Sequence, residues 1–284
     1  MKDKNFVKNF ENRIKKTIKT YKMITPKDRL AIACSGGKDS TAVLYVLNKL
    51  GYKVEAITVD ALIGNYTKKN LENIKIFCKS QKIKLHVISF RKEFGYSLCY
   101  IKSLLHSKGT NLKSCTICGV LRRYLLNKYA KKLKFTKIVT GHNLDDECQS
   151  FIMNLFKNEL ELTARSGPIT GLTDSINFVK RIKPLYLIPE KDVEKYSKLM
   201  CFPVKYEPCP CRIDSYRNYI RKVLDKYEKY HPSVKEKVIK VLLKIIPNLK
   251  KSYIPQKNIV LCSKCGEPSK DKLCKACGII SKLN

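Results

Sequence analysis

Residues 30–40 read Leu30-Ala31-Ile32-Ala33-Cys34-Ser35-Gly36-Gly37-Lys38-Asp39-Ser40 and indicate what kind of sheet this chain forms. The first five residues are apolar and predict a buried strand. The adjacent glycines permit a sharp turn in which the backbone approaches an anion closely. Residues 39–50 follow with helical apolar spacing, so the loop meets a helix N-terminus that favours negative charge. The stretch predicts a phosphate-binding loop, to which Lys38 adds a full charge and Ser35 and Ser40 add hydroxyl donors. An ordinary turn capped by Asp39 or Ser40 is the alternative.

Strands and helices continue to alternate beyond this loop. This order is typical of a parallel sheet with flanking helices, here of a five-stranded type, and ligands of such sheets lie outside the carboxyl ends of the strands. The periodicity predicts further strands at 54–59, 84–89 and 137–140, and helices at 71–78, 120–133, 144–156, 190–199 and 214–247.

The overall composition restricts the class of protein. The 284 residues include 58 Lys+Arg against 24 Asp+Glu, a net charge of +34, which favours a polyanionic partner such as nucleic acid or, second, an anionic membrane. Hydrophobic residues make up 44%, which excludes a disordered chain. No apolar run approaches the roughly 20 residues that span a bilayer, and no apolar signal region follows the N-terminus. We therefore expect a cytoplasmic protein without membrane attachment, whose 13 cysteines stay reduced.

Four of these cysteines lie in the C-terminal tail as two C-x-x-C pairs separated by eight residues. In a reducing compartment this spacing predicts a closed tetrahedral zinc site of structural type. Disulfides are the alternative, which the compartment disfavours. The predicted ligands are Cys262, Cys265, Cys274 and Cys277.

A separate C-x-x-C pair, Cys115 and Cys118, lies between the third and fourth predicted strands. No second pair nearby completes a tetrad, but Cys209 supplies a third thiolate, with Cys211 as the alternative. Complete ligation of a [4Fe–4S] cluster takes four cysteines, so three leave one corner open. A zinc half-site, or two buried structural thiols, are the other interpretations.

A second polar motif, Thr140–Glu147, follows the fourth predicted strand. Gly141 permits a nucleotide to approach the backbone. Asp145 and Asp146 stand at a helix start, where a carboxylate either caps the helix or orients Mg²⁺ and handles a proton.

Ser35–Ser40 resembles the PP-loop of the adenine nucleotide α-hydrolase family, whose fold is HUP-like, and Gly141–Asp146 resembles that family's second motif. Residues 115–123 with Cys209-Pro210 resemble the tRNA 2-thiouridine synthetases within it. The resemblance implies that ATP with Mg²⁺ adenylates O2 of a uridine, and that sulfur held at a [4Fe–4S] cluster on Cys115, Cys118 and Cys209 replaces the oxygen. It favours a T-loop uridine over the wobble uridine.

The resemblance also implies roles for individual residues and partners. Catalytic roles go to Asp146, Lys38 and Asp145. The implied ATP-binding residues are Ala33, Ser35, Gly36, Gly37, Lys38, Asp39, Ser40, Val59, Arg122 and Gly141. The implied partners are tRNA, a ubiquitin-like sulfur carrier or free sulfide, and a second copy of the chain in a homodimer. The alternatives are another PP-loop adenylating enzyme, such as a lysidine synthetase, and a non-catalytic RNA-binding zinc protein.

We expect four regions along the chain. They are an N-terminal basic helix (1–25), a PP-loop ATP-binding α/β domain (26–200), a helical region with the third cluster cysteine (201–255) and a zinc ribbon (256–284).

Overall fold

The computed structural model describes residues 2–171, 178–212, 215–253, 260–269 and 271–283. At its centre is a five-stranded parallel sheet with the strand order β3-β2-β1-β4-β5, as the alternation predicted. The strands are β1 (Leu30–Ala33), β2 (Val54–Asp60), β3 (Leu85–Ser89), β4 (Lys137–Thr140) and β5 (Lys180–Ile182).

Helices cover both faces of this sheet. They are α1 (Lys2–Thr20), α2 (Lys38–Lys49), α3 (Gly64–Ser80), α4 (Phe90–Phe94), α5 (Leu98–Ser107), α6 (Ser114–Lys132), α7 (Leu144–Phe156), α8 (Leu160–Ala164), α9 (Glu190–Leu199), α10 (Tyr216–Tyr230), α11 (Val234–Ser252) and α12 (Lys275–Ile280). A short antiparallel pair, β6 (Val260–Leu261) with β7 (Pro268–Ser269), precedes α12 in the tail.

Each face of the sheet has its own apolar core. On one face α1, α2 and α9 pack together, and Phe10 stacks on Tyr196 with ring centroids 4.1 Å apart. On the other face α5, α6 and the tail helix α12 pack together around Leu121. A third cluster joins α7, α10 and α11. The tail and the N-terminal helix are thus packed into the body of the protein by buried apolar surface.

Helices α3 and α6 begin earlier than predicted, at Gly64 and Ser114, and two further expectations differ from the structure. Strand β5 was not predicted, because its three residues Lys180-Arg181-Ile182 are too short and too charged to give a periodic signal. The predicted helix 214–247 is two helices, because it breaks at Pro232, which lacks an N–H, and at Ser233, which has a left-handed φ of 64°. The expected boundary between residues 255 and 256 lies outside the described residues, and residue 214 does as well.

Among the residues described, no helix has both the length and the apolar character needed to cross a membrane.

Candidate active site at the carboxyl ends of the strands

The loops after β1 and β4 lie side by side at the carboxyl edge of the sheet. The chain crosses from β1 to β2 on one side, while β4 lies on the other, so this is the topological switch point where ligands of open α/β sheets bind. Gly141 belongs to this close packing, since a Cβ there would lie 2.7 Å from the backbone nitrogen of Ser40. The absence of a side chain therefore lets the second motif approach the start of α2, and an approach of nucleotide to Gly141 stays a prediction.

The loop from Ser35 to Gly37 leads into α2 and leaves the N-terminus of that helix accessible to an anion. Gly36 has a φ of +79°, and a Cβ there would lie 2.3 Å from the carbonyl oxygen of Asn70. The Ser35 N–H donates to Ser40 Oγ at 3.2 Å, which holds the loop closed. Gly37 is the N-cap of α2 and has no side chain with which to cap the helix. Free N–H groups at a helix start suit an anion.

Lys38 spans two carboxylates at this N-terminus. Its Nζ lies 3.0 Å from Asp39 Oδ2 and 2.8 Å from Glu190 Oε1. Burial alone would lower the pKa of Lys38, but the two carboxylates raise it above its usual range. Glu190 also pairs with Arg221 at 2.9 Å, and together these cations hold its pKa below the ordinary value despite burial. The site thus keeps a fixed positive charge on Lys38. When ATP binds, its phosphate oxygens can replace the carboxylates as the partners of this charge.

The three consecutive acids that begin α7 have three different surroundings, because successive helical residues point about 100° apart. Asp145 accepts from Lys235 Nζ at 2.7 Å and from the Glu190 N–H at 2.7 Å. Glu147 forms a buried pair with Lys183 at 2.8 Å. Asp146 is the one that lies beside the loop after β1.

Asp146 both caps α7 and borders the ATP loop. It completes a capping box with Asn143, whose side chain in turn donates to Asp39 at 2.9 Å. Burial raises the pKa of Asp146; Arg217, 3.7 Å away, opposes this shift, and Glu190 adds to it. The pKa of Asp39 is raised mainly by burial, against Lys38 and with a contribution from Asp146. Asp39 and Asp146 are thus linked through Asn143, and carboxylates are the ligands that Mg²⁺ takes together with substrate phosphates, so a role in binding Mg²⁺ stays a prediction.

Arginines from two helices lie in this region. From α10, Arg217 lies 3.7 Å from Asp146 and Arg221 pairs with Glu190 at 2.9 Å, whereas Arg122 of α6 lies near Cys118. The Nε atoms of Arg122, Arg181 and Arg221 are buried and have no hydrogen-bond partner among the described residues. Buried guanidinium groups with free donors are suited to phosphate. The predicted residues Ala33 and Val59 lie on the adjoining strands, at the end of β1 and near the end of β2.

The structure brings the predicted cysteine trio together beside these arginines. Cys115 and Cys118 lie in the first turn of α6, and Cys115 Sγ donates to the carbonyl oxygen of Cys211 at 3.1 Å. Burial raises the pKa of Cys118, and Arg122 opposes this shift, while the neighbouring Cys209 and Cys115 add to it. All three thiols are at least partly exposed, as ligands of an accessible cluster must be.

Arg212 joins the thiols to the acids. Burial and then Cys209 raise the pKa of Cys115, and the charge of Arg212 opposes this shift. Burial lowers the pKa of Arg212 itself, while Glu190 and Asp146 raise it. Cys115 on one side and Glu190 and Asp146 on the other therefore lie within the range of the same Arg212 charge.

The four tail cysteines and the cysteine trio differ in the spacing of their sulfur atoms. The tail sulfurs of Cys262, Cys265, Cys274 and Cys277 lie within 4.8 Å of one another. Cys265 Sγ and Cys274 Sγ are 3.7 Å apart, close to the ~3.8 Å edge of a tetrahedron with 2.3 Å zinc–sulfur bonds. Among the described residues the trio does not form so tight a group. Three thiols with a wider spacing fit a cluster of several irons better than a single ion.

Sequence reasoning missed Glu190, Arg212, Arg217 and Arg221. Glu190 follows Pro189 at a helix start, which is an ordinary capping pattern. The two α10 arginines are four residues apart and so share a helix face, a signal that is common on solvated helices as well.

Comparison with known proteins agrees with this geometry. Residues 6–227 match the PP-loop domain family. The chain is 33% identical to the tRNA-5-methyluridine(54) 2-sulfurtransferase of Pyrococcus horikoshii, over 99% of this chain and 89% of that protein. It is 31% identical to the cytoplasmic tRNA 2-thiolation protein 1 of Caenorhabditis elegans, over 98% of this chain and 74% of that protein. The structure of the U34-tRNA thiolase NcsA from Methanococcus maripaludis with its [4Fe–4S] cluster superimposes with a TM-score of 0.82 at 27% identity, covering 98% and 88% of the two chains.

Proposed function

Because this chain belongs to the PP-loop family of tRNA 2-thiolation enzymes, we propose that it adenylates O2 of a tRNA uridine with ATP and replaces that oxygen with sulfur. The observation that carries the proposal is that Cys115, Cys118 and Cys209 lie near one another and share Arg212 with the acids Asp146 and Glu190, of which Glu190 binds Lys38 of the phosphate loop. The two alternative functions each require only part of this arrangement. A lysidine synthetase does not need the three cysteines, and a non-catalytic RNA-binding zinc protein does not need the phosphate loop.

The first step is attack of the uracil O2 on the α-phosphorus of ATP. The O–P bond forms, the bond to the β-phosphate breaks, and pyrophosphate leaves. Lys38, the free N–H groups of α2 and the arginines stabilise the charge that develops on the phosphates. Asp39 and Asp146 would hold the Mg²⁺ that accompanies ATP, each through one carboxylate oxygen, and the other oxygen of Asp146 accepts the N3 proton of the uracil. We assign Asp145 a positioning role, since Lys235 and the Glu190 N–H already engage its oxygens.

The second step replaces the adenylated oxygen. Sulfur at the oxidation level of sulfide attacks C2, the C2–S bond forms and the C2–O bond breaks. AMP leaves with the oxygen, because a carbonyl oxygen becomes a good leaving group only once it belongs to a phosphoester. When bound on Cys115, Cys118 and Cys209, a [4Fe–4S] cluster supplies an iron with an open position for sulfur. The chain's own contribution is to hold those thiols next to the adenylate, with Arg212 between the two.

The uridine we favour is in the T loop. The Pyrococcus relative is named for position 54, whereas the Methanococcus thiolase is named for U34. Two tRNA transcripts decide between these positions, one lacking only U54 and the other lacking only U34. We expect thiolation to be lost with the first transcript and retained with the second; the reverse pattern would assign the wobble uridine.

Further components complete the proposal. A ubiquitin-like carrier or free sulfide delivers the sulfur, the chain acts as a homodimer, and it works in the cytoplasm, as the name of the Caenorhabditis relative says of that protein. Zinc occupies the tail tetrad, where it holds β6, β7 and α12 against α6.

The protein purified without oxygen tests the proposal. With tRNA, ATP and sulfide it should form a 2-thiouridine nucleoside, which mass spectrometry of the digested tRNA detects, and one AMP per thiolated nucleoside. Cys209→Ala should abolish the thionucleoside and the iron content, while Cys201→Ala, an exposed cysteine outside the trio, should change neither. Full thiolation by Cys209→Ala would contradict the assignment of the site.

A further inference from the structure

Helix α10 exposes a stripe of apolar and aromatic side chains to solvent. Tyr219, Val223 and Tyr230 are 61%, 62% and 75% exposed. Their spacing of four and seven residues places them on one side of the helix. At 100° per residue this side lies roughly opposite Arg217 and Arg221, which reach into the ATP site. One helix thus serves the active site with one face and leaves an aromatic face without a partner among the described residues.

Helix α7 packs against α10 and ends close to Tyr216, the first residue of α10. Phe156, the last residue of α7, is 67% exposed. The next residue, Lys157, places its ammonium 5.1 Å from the centre of the Tyr216 ring. Exposed lysines, Lys222 and Lys226, flank the stripe on α10 itself. Aromatic rings alternating with lysines can stack on bases and contact phosphates at once.

We propose that this patch, defined as Phe156, Tyr219, Val223 and Tyr230 with Lys222 and Lys226, docks unpaired bases of the tRNA substrate. The inference rests on the proposed function and adds the surface that holds the tRNA away from the reacting uridine. RNA is the occupant that the charges favour, because its phosphates complement the lysines. A second copy of this patch would bring like charges together on an already strongly cationic protein.

The distance to the reacting centre also favours an extended partner. Ten residues of α7 separate Asp146 from Phe156, which at 1.5 Å per residue is about 15 Å. Tyr219, Val223 and Tyr230 lie on the side of α10 opposite Arg217 and Arg221, so ATP and uracil bound beside those arginines would not contact the patch. A folded tRNA extends far enough to contact both, and its unpaired loop bases present faces for stacking.

Binding of tRNA to the full-length protein tests the patch directly. Stacking on an aromatic ring changes affinity about 5- to 150-fold per base, so Tyr219→Ala with Tyr230→Ala should weaken tRNA binding at least about tenfold. Binding of ATP should be unchanged. Tyr219→Phe with Tyr230→Phe keeps the ring faces and should stay within about twofold of the wild type. Ile76→Ala, a 60% exposed apolar residue on α3, is the matched control and should also stay within about twofold.

Two outcomes would overturn the inference. One is tRNA affinity equal to wild type in the double alanine variant. The other is a wild-type dimer that the double alanine substitution dissociates without loss of tRNA affinity, which would make the patch an interface between copies. Failure of the proposed function would give a different result from both. The wild-type protein would then bind tRNA but form no thionucleoside.

Discussion

Lys38 illustrates how the site accommodates ATP at the level of a single residue. Its ammonium lies between Asp39 and Glu190, and the carboxylates raise its pKa although burial would lower it. When ATP enters the loop, its phosphates replace these carboxylates as partners of the Lys38 ammonium, whose charge and position are already fixed. Such preorganisation costs no reorientation at the moment of reaction.

Substitution of Lys38 tests this role. Lys38→Ala should reduce tRNA-dependent AMP formation by about 10²- to 10³-fold, the usual effect of removing one donor that stabilises developing charge. Lys49→Ala, on the same helix but at the surface, is the control and should leave the rate unchanged. Retention of the normal rate by Lys38→Ala, in a protein with normal thermal stability, would contradict the loop assignment.

Asp146 and Asp145 are adjacent in sequence, and we expect opposite consequences of replacing them. Asp146→Asn keeps an oxygen that accepts from the Asn143 N–H, so the fold should hold while AMP formation is lost. Asp145→Asn removes the charge that faces the buried Lys235, so unfolding free energy should fall by about 1–3 kcal/mol. Denaturant unfolding and AMP assays on both variants separate the roles. Substantial AMP formation by Asp146→Asn would contradict the base and metal role.

At the scale of elements, Asp28 fastens the start of β1 to β4. Its carboxylate accepts from the Thr25 N–H at 2.6 Å, from Lys137 Nζ at 2.7 Å and from Thr136 Oγ1 at 2.7 Å. Burial alone would raise the pKa of Asp28, but the hydrogen bonds, that from Lys137 foremost, lower it to about 2. These contacts lie at the end of the sheet opposite the site, so they affect stability rather than chemistry.

This depressed pKa predicts how stability depends on pH. The ionised form is stabilised only in the folded protein, so the contribution is complete above the unfolded pKa near 3.9 and is lost as pH falls through about 2. A shift of this size corresponds to about 2 kcal/mol. Asp28→Asn should therefore lose about that much unfolding free energy at pH 7 and depend less on pH between about 4 and 2. An unchanged pH dependence in the variant would show that another carboxyl is responsible.

The elements also show what the sequence could and could not predict. The parallel sheet was predictable, because four buried strands alternate with long amphipathic helices. The fifth strand was not, because Lys180 and Arg181 leave only one buried apolar residue in it. Helix α6 begins earlier than predicted, at Ser114, so that Cys115 and Cys118 lie in its first turn.

The same limit applies to the candidate site. Motifs with fixed spacing identified the loop and the thiols. Glu190 and the α10 arginines reach the site from distant parts of the chain, and only tertiary packing brings them there.

For the whole molecule the dominant property is the net charge of +34. Each lysine or arginine that contacts an RNA phosphate releases counterions, so the affinity for tRNA should fall steeply as salt rises from ~50 to ~200 mM. A titration of tRNA binding over this range gives the slope, and the number of phosphate contacts follows from it. A flat dependence would mean that the excess of cations does not serve RNA binding.

The chemistry itself is tested most directly by following one oxygen atom. If the enzyme adenylates O2 of the uridine, tRNA that carries ¹⁸O at that position should transfer the label to AMP as the thionucleoside forms. Mass spectrometry of the released AMP should show one ¹⁸O for each 2-thiouridine in the tRNA. Unlabelled AMP with normal thiolation would contradict activation of O2 by ATP.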